Sequence, residues 1–246
     1  MNILILGASS GLGMSLSEYY SKNLLCNIIC VSSDLGELNK VKNNIKVRYE
    51  KNIDIYKCNF LNKSEISSTV KKILSKFKNK IDLIFYSAAI IEPDTNFDNK
   101  LNSFDDLIKV NFLAFHQIFK STYKFINNKY FKSQFIYISS ISTIRIRHNN
   151  SFYSTSKKVA DYYIDGINKK INSKKLNILI VYVGYMDTRL AVNIPNILKT
   201  KTNDVCRIID RNLNNNKKYI YVPSYWYFIS IFIKLTPKFI WNALKI

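Results

Sequence analysis

The run Asn2-Ile3-Leu4-Ile5-Leu6-Gly7-Ala8-Ser9-Ser10-Gly11-Leu12-Gly13 restricts the fold more than any other segment of this chain. The consecutive apolar residues Ile3 to Leu6 read as a strand buried on both faces. A glycine-rich turn follows at once, and Met14 to Lys22 reads as a helix. Strand, glycine turn and helix, in that order, suit a dinucleotide pyrophosphate. Glycines let backbone approach phosphate, and the helix start offers free N–H groups and the positive end of its dipole.

Apolar strand candidates recur at Asn27–Val31, Asp54–Cys58, Leu83–Ser87, Gln134–Ser139, Asn177–Val183 and Tyr219–Val222, with helical stretches between them. This alternation predicts an α/β fold: a Rossmann-type, doubly wound parallel sheet of about seven strands flanked by helices. A chain of 246 residues, 47% of them hydrophobic, can bury one good core and is not disordered. We read residues 1–222 as the nucleotide-binding domain and residues 223–246 as an aromatic, basic tail. Ligands of such sheets bind beyond the carboxyl ends of the strands. Gly7–Gly13, Ser87–Ile90, Ser139–Ser140 and Val183–Thr188 all fall there.

Tyr153 and Lys157 lie four residues apart in Tyr153-Ser154-Thr155-Ser156-Lys157, and Ser140 precedes the tyrosine by thirteen residues. On a helix, i and i+4 share a face. A phenol beside an ammonium is an acid–base unit, and the positive charge is expected to lower the phenol pKa. Alone, the pair also fits a packed ring beside a solvated amine. The glycine turn upstream favours chemistry.

Together the two motifs resemble the short-chain dehydrogenase/reductase family over nearly the whole chain. Gly7, Gly11 and Gly13 match its cofactor turn, which implies that Ser9, Ser10 and Leu12 also line the cofactor. Asn59, followed by Phe60, stands where the family usually has an aspartate beside the adenine. Tyr86-Ser87-Ala88-Ala89 replaces the usual Asn-Asn-Ala-Gly. Ala88 and Ala89 still leave room for a cofactor, but the turn's hydrogen bonds must be made differently. Asn111 matches the family's helix asparagine, and Ile136–Ser140 its serine strand. Val183-Gly184-Tyr185-Met186-Asp187-Thr188 matches a segment that closes over nicotinamide, with Val183 in place of proline.

The resemblance implies hydride transfer between a nicotinamide and a carbonyl or alcohol carbon. Tyr153 would donate the proton, and Lys157 would lower its pKa and hold the ribose. Ser140 would hold the carbonyl, with Ser139 as its rival, and Asn111 would position a relay water. Gly184 and Thr188 would meet the nicotinamide. A loop over residues 189–205 would cover the substrate, and a homodimer or homotetramer would form through the helices bearing Asn111 and Tyr153.

The second strand ends Val31-Ser32-Ser33-Asp34. Ser32 stands at the position of an NAD-selecting carboxylate and Ser33 at that of an arginine. Two serines can accept a 2′-phosphate, which favours NADP(H) over NAD(H). Asp34 would reverse this if the strand ran one or two residues further.

The net charge is +20, yet the lysines are spread without an arginine-rich stripe, which argues against nucleic acid. Cys26, Cys30, Cys58 and Cys206 show no metal spacing and read as buried thiols. His116 and His148 are isolated, so no metal site is expected. Met1 opens directly into the first strand with no basic leader, so a cytoplasmic enzyme is expected. After Asp210 the chain has no acidic residue, while Arg211, Lys217, Lys218, Lys234, Lys238 and Lys245 remain. The same tail carries Tyr225–Ile233, Leu235, Phe239, Ile240 and Trp241. Two readings stand. The tail lies in an anionic membrane interface at the inner face of the cell membrane, or it covers the pocket or an oligomer contact.

Val222-Pro223, Pro237-Lys238-Phe239-Ile240, and Arg145-Ile146-Arg147 before Phe152-Tyr153 look like the decaprenylphosphoryl-2-keto-ribose reductases. This narrower resemblance implies a keto-sugar on a polyprenyl phosphate, in cell-envelope polysaccharide synthesis. It would place Arg145 and Arg147 with Ser140 and Tyr153 at the substrate. The alternatives are a soluble reductase of a small sugar, polyol or acyl substrate, and a non-catalytic cofactor sensor. The sensor would be expected to lack Tyr153 or Lys157.

Overall fold

The computed structural model describes residues 1–91, 97–126, 133–146, 150–171, 176–188, 199–213 and 215–243. Its strands are β1 Asn2–Leu6, β2 Asn27–Ser32, β3 Asp54–Lys57, β4 Leu83–Tyr86, β5 Ser133–Ser140, β6 Leu176–Val183 and β7 Tyr219–Val222. They form one sheet in the order β3-β2-β1-β4-β5-β6-β7, and every neighbouring pair is parallel. The fold is thus the expected doubly wound, Rossmann-type sheet. Each expected strand is present, with ends displaced by at most one residue.

Alternation along β1 sends Leu4 and Leu6 into one core and Ile3 and Ile5 into the other. The first core is closed by α3 Lys63–Lys76, α5 Ala114–Ile126 and α6 Ser151–Asn168, through residues such as Val70, Phe115 and Ile164. The second is closed by α1 Gly11–Ser21, α2 Leu35–Tyr49 and α7 Thr202–Asn212, through Leu16, Val41 and Ile209. The Tyr19 and Tyr20 hydroxyls fasten α1 to α7 by donating to Asp210 at 3.1 and 2.9 Å. Strand order reverses between β1 and β4, which opens a crevice at their carboxyl ends.

Two expectations shift. Helix α1 starts at Gly11 rather than Met14, because the last glycines of the turn already have helical partners: Met14 N donates to Ser10 O at 3.2 Å. The loop expected over 189–205 ends earlier, since α7 begins at Thr202. Residues 189–198 lie outside the described residues. Beyond β7 come α8 Tyr225–Leu235 and α9 Lys238–Ala243.

Candidate active site

The glycine turn is built by exclusion. A Cβ on Gly7, whose φ is +84°, would lie 2.5 Å from Ala88 N, and one on Gly13 would lie 2.1 Å from Gly7 O. Both positions therefore admit hydrogen only. Gly11 also has positive φ, and Thr188 Cγ2 would be 3.6 Å from its Cβ, so the segment after β6 reaches the turn. Ser87 Oγ donates to Leu6 O at 2.7 Å. This is how the unusual Tyr86–Ala89 segment makes its turn without the family's asparagines.

The start of α1 is also left open. Its cap, Ser10, makes no side-chain capping hydrogen bond among the described residues, and its first turn has no acidic residue. By contrast, Asp34 caps α2 by accepting from Glu37 N at 2.9 Å. Asn62 caps α3 by accepting from Ser64 N and Glu65 N at 3.0 and 3.2 Å. A glycine cradle joined to an uncapped helix start fits a pyrophosphate.

Around the cradle, Ser9 Oγ and Ser32 Oγ are 2.7 Å apart. Ser32 is buried and Ser33 exposed. Asp34 lies beyond the end of β2 and is committed to its cap. Leu12 and Phe60 are core side chains, with the Phe60 ring centred 6.3 Å from that of Tyr86. Phe60 could therefore meet a cofactor only through its backbone. Asn59 is exposed, and its Oδ1 accepts from Leu61 N at 3.0 Å. Ala88 is buried against Gly7, whereas Ala89 is exposed.

Asn111 sits in a π turn, Lys109–Leu113, that joins α4 Phe97–Ile108 to α5. There Ala114 N donates to Lys109 O across five residues. Two buried tyrosines from the sheet satisfy carbonyls of the widened turn. Tyr137 OH donates to Asn111 O at 2.7 Å and Tyr86 OH donates to Val110 O. Their rings stack, 5.8 Å apart at 12°. The Asn111 side chain accepts from Ile90 N at 2.9 Å and donates to Ile90 O at 3.0 Å and Ser156 Oγ at 2.9 Å. The asparagine expected to hold a relay water is thus engaged by protein at every side-chain atom. It clamps the loop after β4 to α6.

Tyr153, Lys157 and Asp161 stand at i, i+4 and i+8 of α6 and share a face. Lys157 Nζ donates to Ile138 O at 2.9 Å and lies 4.8 Å from the Tyr137 ring centre. Burial pulls its pKa down to about 7, opposed by the charge of Asp161. Burial pushes Tyr153 up to about 12, while a hydrogen bond with Ser140 pulls it back and Asp161 adds to the rise. The expected lowering by Lys157 is corrected here: desolvation dominates the phenol and also discharges much of the amine.

Ser140, not Ser139, faces the phenol. Ser140 Oγ accepts from Ser142 N at 3.2 Å and from Ser142 Oγ at 3.0 Å, which leaves its own proton to donate.

Asp161 was not singled out in the sequence, although its spacing from Lys157 repeats that of Lys157 from Tyr153. It is 4% exposed, and neither carboxylate oxygen has a hydrogen-bond partner of good geometry among the described residues. Burial raises its pKa to about 6, with the Ser139 and Thr143 side chains and then Lys158 and Lys157 pulling it back. A carboxyl raised in the fold favours folding most at low pH and loses that advantage as pH climbs through about 6. Asp161→Asn should therefore gain stability relative to the parent between pH 4 and 7, read by thermal melts. It should also move the Lys157 limb of the kcat/KM profile to lower pH. An unmoved limb would leave Asp161 a packing residue.

The substrate-side arginines behave differently from expectation. Arg145 Nη1 donates to Ile233 O at 3.0 Å and to Thr236 O, and its guanidinium lies 4.9 Å from the Trp241 ring centre. Trp241 Nε1 donates to Ile146 O at 3.0 Å. The end of α8 has orphan carbonyls and a negative dipole, and it claims the cation. Arg145 is thus a latch to the tail, a role the sequence did not suggest. Arg147 lies outside the described residues. Gly184 N donates to Val222 O at 2.9 Å, and a Cβ there would lie 2.0 Å from Trp226 Nε1. The sequence marked Trp226 only as part of the aromatic tail, not as a neighbour of Gly184.

The sheet order, the glycine cradle and the Ser140–Tyr153–Lys157 cluster define a dinucleotide-binding oxidoreductase scaffold. Residues 1–197 match the family model for short chain dehydrogenases, and the chain belongs to that family. A dehydrogenase/reductase SDR family protein 7-like from Dictyostelium discoideum is 24% identical over 199 residues. The match covers 78% of this chain and 61% of that protein, so the chain spans about three fifths of its relative's length. Two solved structures share the fold. A short-chain dehydrogenase from Sphingobium yanoikuyae in complex with NADPH has TM-score 0.79 and 14% identity, covering 99% of this chain and 91% of that one. A short chain dehydrogenase/reductase from Burkholderia phymatum in complex with NAD has TM-score 0.78 and 14% identity, covering 89% and 88%.

Proposed function

We propose that the protein is a ketoreductase that uses a reduced nicotinamide dinucleotide to convert a carbonyl to an alcohol. The observation that carries this reading is the joint presence of the glycine cradle and the group of half-buried Ser140 and Tyr153 with buried Lys157. When bound, the cofactor supplies the hydride. Gly7, Gly11, Gly13 and the start of α1 would hold its pyrophosphate, and Thr188 and Gly184 would meet its nicotinamide. With its pKa near 12, Tyr153 is protonated at neutral pH and is therefore an acid in the reducing direction. Ser140, with its hydroxyl lone pairs engaged by Ser142, donates to the carbonyl oxygen. Lys157, with a pKa near 7, exchanges protons in the working range.

We assign NADP(H) as the preferred cofactor. Ser33 is exposed at the end of β2, and Asp34 is withdrawn as a helix cap. The substrate we favour is a keto-sugar on a polyprenyl phosphate, on the resemblance of the tail motifs. The Arg145 latch removes one of its supports. The test is a screen of keto-sugars and small ketones with NADPH and NADH, using purified protein. NADPH should give the higher kcat/KM, and Ser32→Asp should shift the ratio toward NADH. A parent that prefers NADH would overturn the cofactor assignment, and no turnover with any carbonyl would overturn the activity.

A further inference from the structure

The helix α8 is inverted relative to a water-facing helix. It reads Tyr-Trp-Tyr-Phe-Ile-Ser-Ile-Phe-Ile-Lys-Leu, with only Ser230 and Lys234 outside the apolar class. Yet Ser230 is among its buried residues at 2% exposure, alongside Trp226 at 8%. Phe228, Phe232 and Leu235 are 63%, 73% and 74% exposed, and Phe239 on α9 is 75% exposed. A helix apolar all round belongs in an apolar surrounding, but the protein covers only the stripe through Trp226 and Ser230.

We propose that α8 and α9 form a docking surface for an anionic lipid bilayer. Charge decides the occupant. The chain carries +20 overall, and residues 211–246 hold six basic side chains and no acidic one. Lys234 and Lys238 rise among the exposed aromatics, where their stems can lie along apolar surface and their ammonium groups can reach phosphate. A second copy would bring the same positive charge to the contact, whereas an anionic leaflet complements it. No helix among the described residues is long and apolar enough to cross a membrane. The 11 residues of α8 suit a position lying in the interface rather than spanning it.

The surface is joined to the catalytic group from both sides. Arg145 and Trp241 tie the tail to the loop after Ser140. Trp226 covers Gly184 after β6. Docking would therefore bring the mouth of the site to the bilayer, favouring a carbonyl substrate with an apolar carrier. That consequence rests on the reading proposed above, but the docking surface does not.

The test is co-sedimentation of the full chain with phosphatidylcholine vesicles, with and without phosphatidylglycerol. It needs no turnover, so it stands or falls apart from the chemistry. Wild type should pellet with the anionic vesicles and much less with the neutral ones. Phe232→Glu/Phe239→Glu should lower partition by about tenfold or more. Lys234→Gln and Lys238→Gln should each lower it by roughly fivefold at low salt. Circular dichroism checks that each variant is folded. Equal partition of wild type and the Phe variant would overturn the proposal. So would absence of pelleting, whether or not light scattering shows the Phe variant breaking an oligomer. If it does, the occupant is a second copy.

Discussion

Tyr153→Phe should lower turnover by about 10²–10⁴-fold, the usual contribution of a positioned general acid. The phenyl ring keeps the packing on α6, so the melting temperature and cofactor affinity should change little. Steady-state rates on a carbonyl substrate found by screening, with cofactor titration by fluorescence, separate the two effects. In the reaction proposed above the Tyr153 hydroxyl would supply the proton, and at neutral pH desolvation holds it in the protonated form. Full turnover in the variant would remove Tyr153 from the chemistry. The reverse reaction needs the phenolate, so its rate should rise with pH well beyond neutrality.

Gly7→Ala should be a strongly damaging single-methyl change. An L-residue at φ +84° costs about 1–2 kcal/mol. The added methyl would lie 2.5 Å from Ala88 N and 2.9 Å from Ser87 C. These are backbone atoms, and overpacking against them costs about 1–3 kcal/mol more. The expected loss of roughly 2–5 kcal/mol should appear as a lower urea midpoint, together with loss of cofactor binding. Gly166 is the matched control. It lies within α6, and a Cβ there meets nothing within 4 Å. Gly166→Ala should stabilise by up to about 1 kcal/mol, because alanine is the better helix former. Two glycines of one chain should thus respond with opposite sign. Equal responses would show that the cradle is not close-packed.

The sheet was legible because a parallel sheet buries both faces of its strands, so each strand is a short apolar run bounded by turns. Ile3–Leu6 and Leu83–Tyr86 are of this kind. The residues at the strand ends were legible for the same reason. What the sequence hid were partnerships set by depth rather than by spacing. The spacing of Tyr153 and Lys157 suggested a charge lowering a phenol. Their burial reverses that, which no linear pattern carries. Arg145 looked free to meet an anion, but its partners are carbonyls more than 85 residues away. Asn111 was found, but its clamp on the β4 loop and α6 was not. The two tyrosines that fill the π turn come from strands β4 and β5, and only the folded sheet brings them to it.

The Asn111 clamp also gives the protein an internal reporter. Ile90 lies in a loop, where a backbone amide ordinarily trades its hydrogen with solvent quickly. Here that amide is held by a side chain that also grips α6. Its exchange rate therefore measures how often the β4 loop, the π turn and the tyrosine helix come apart together. One slow amide among fast neighbours would register the assembled site without any ligand or substrate in hand.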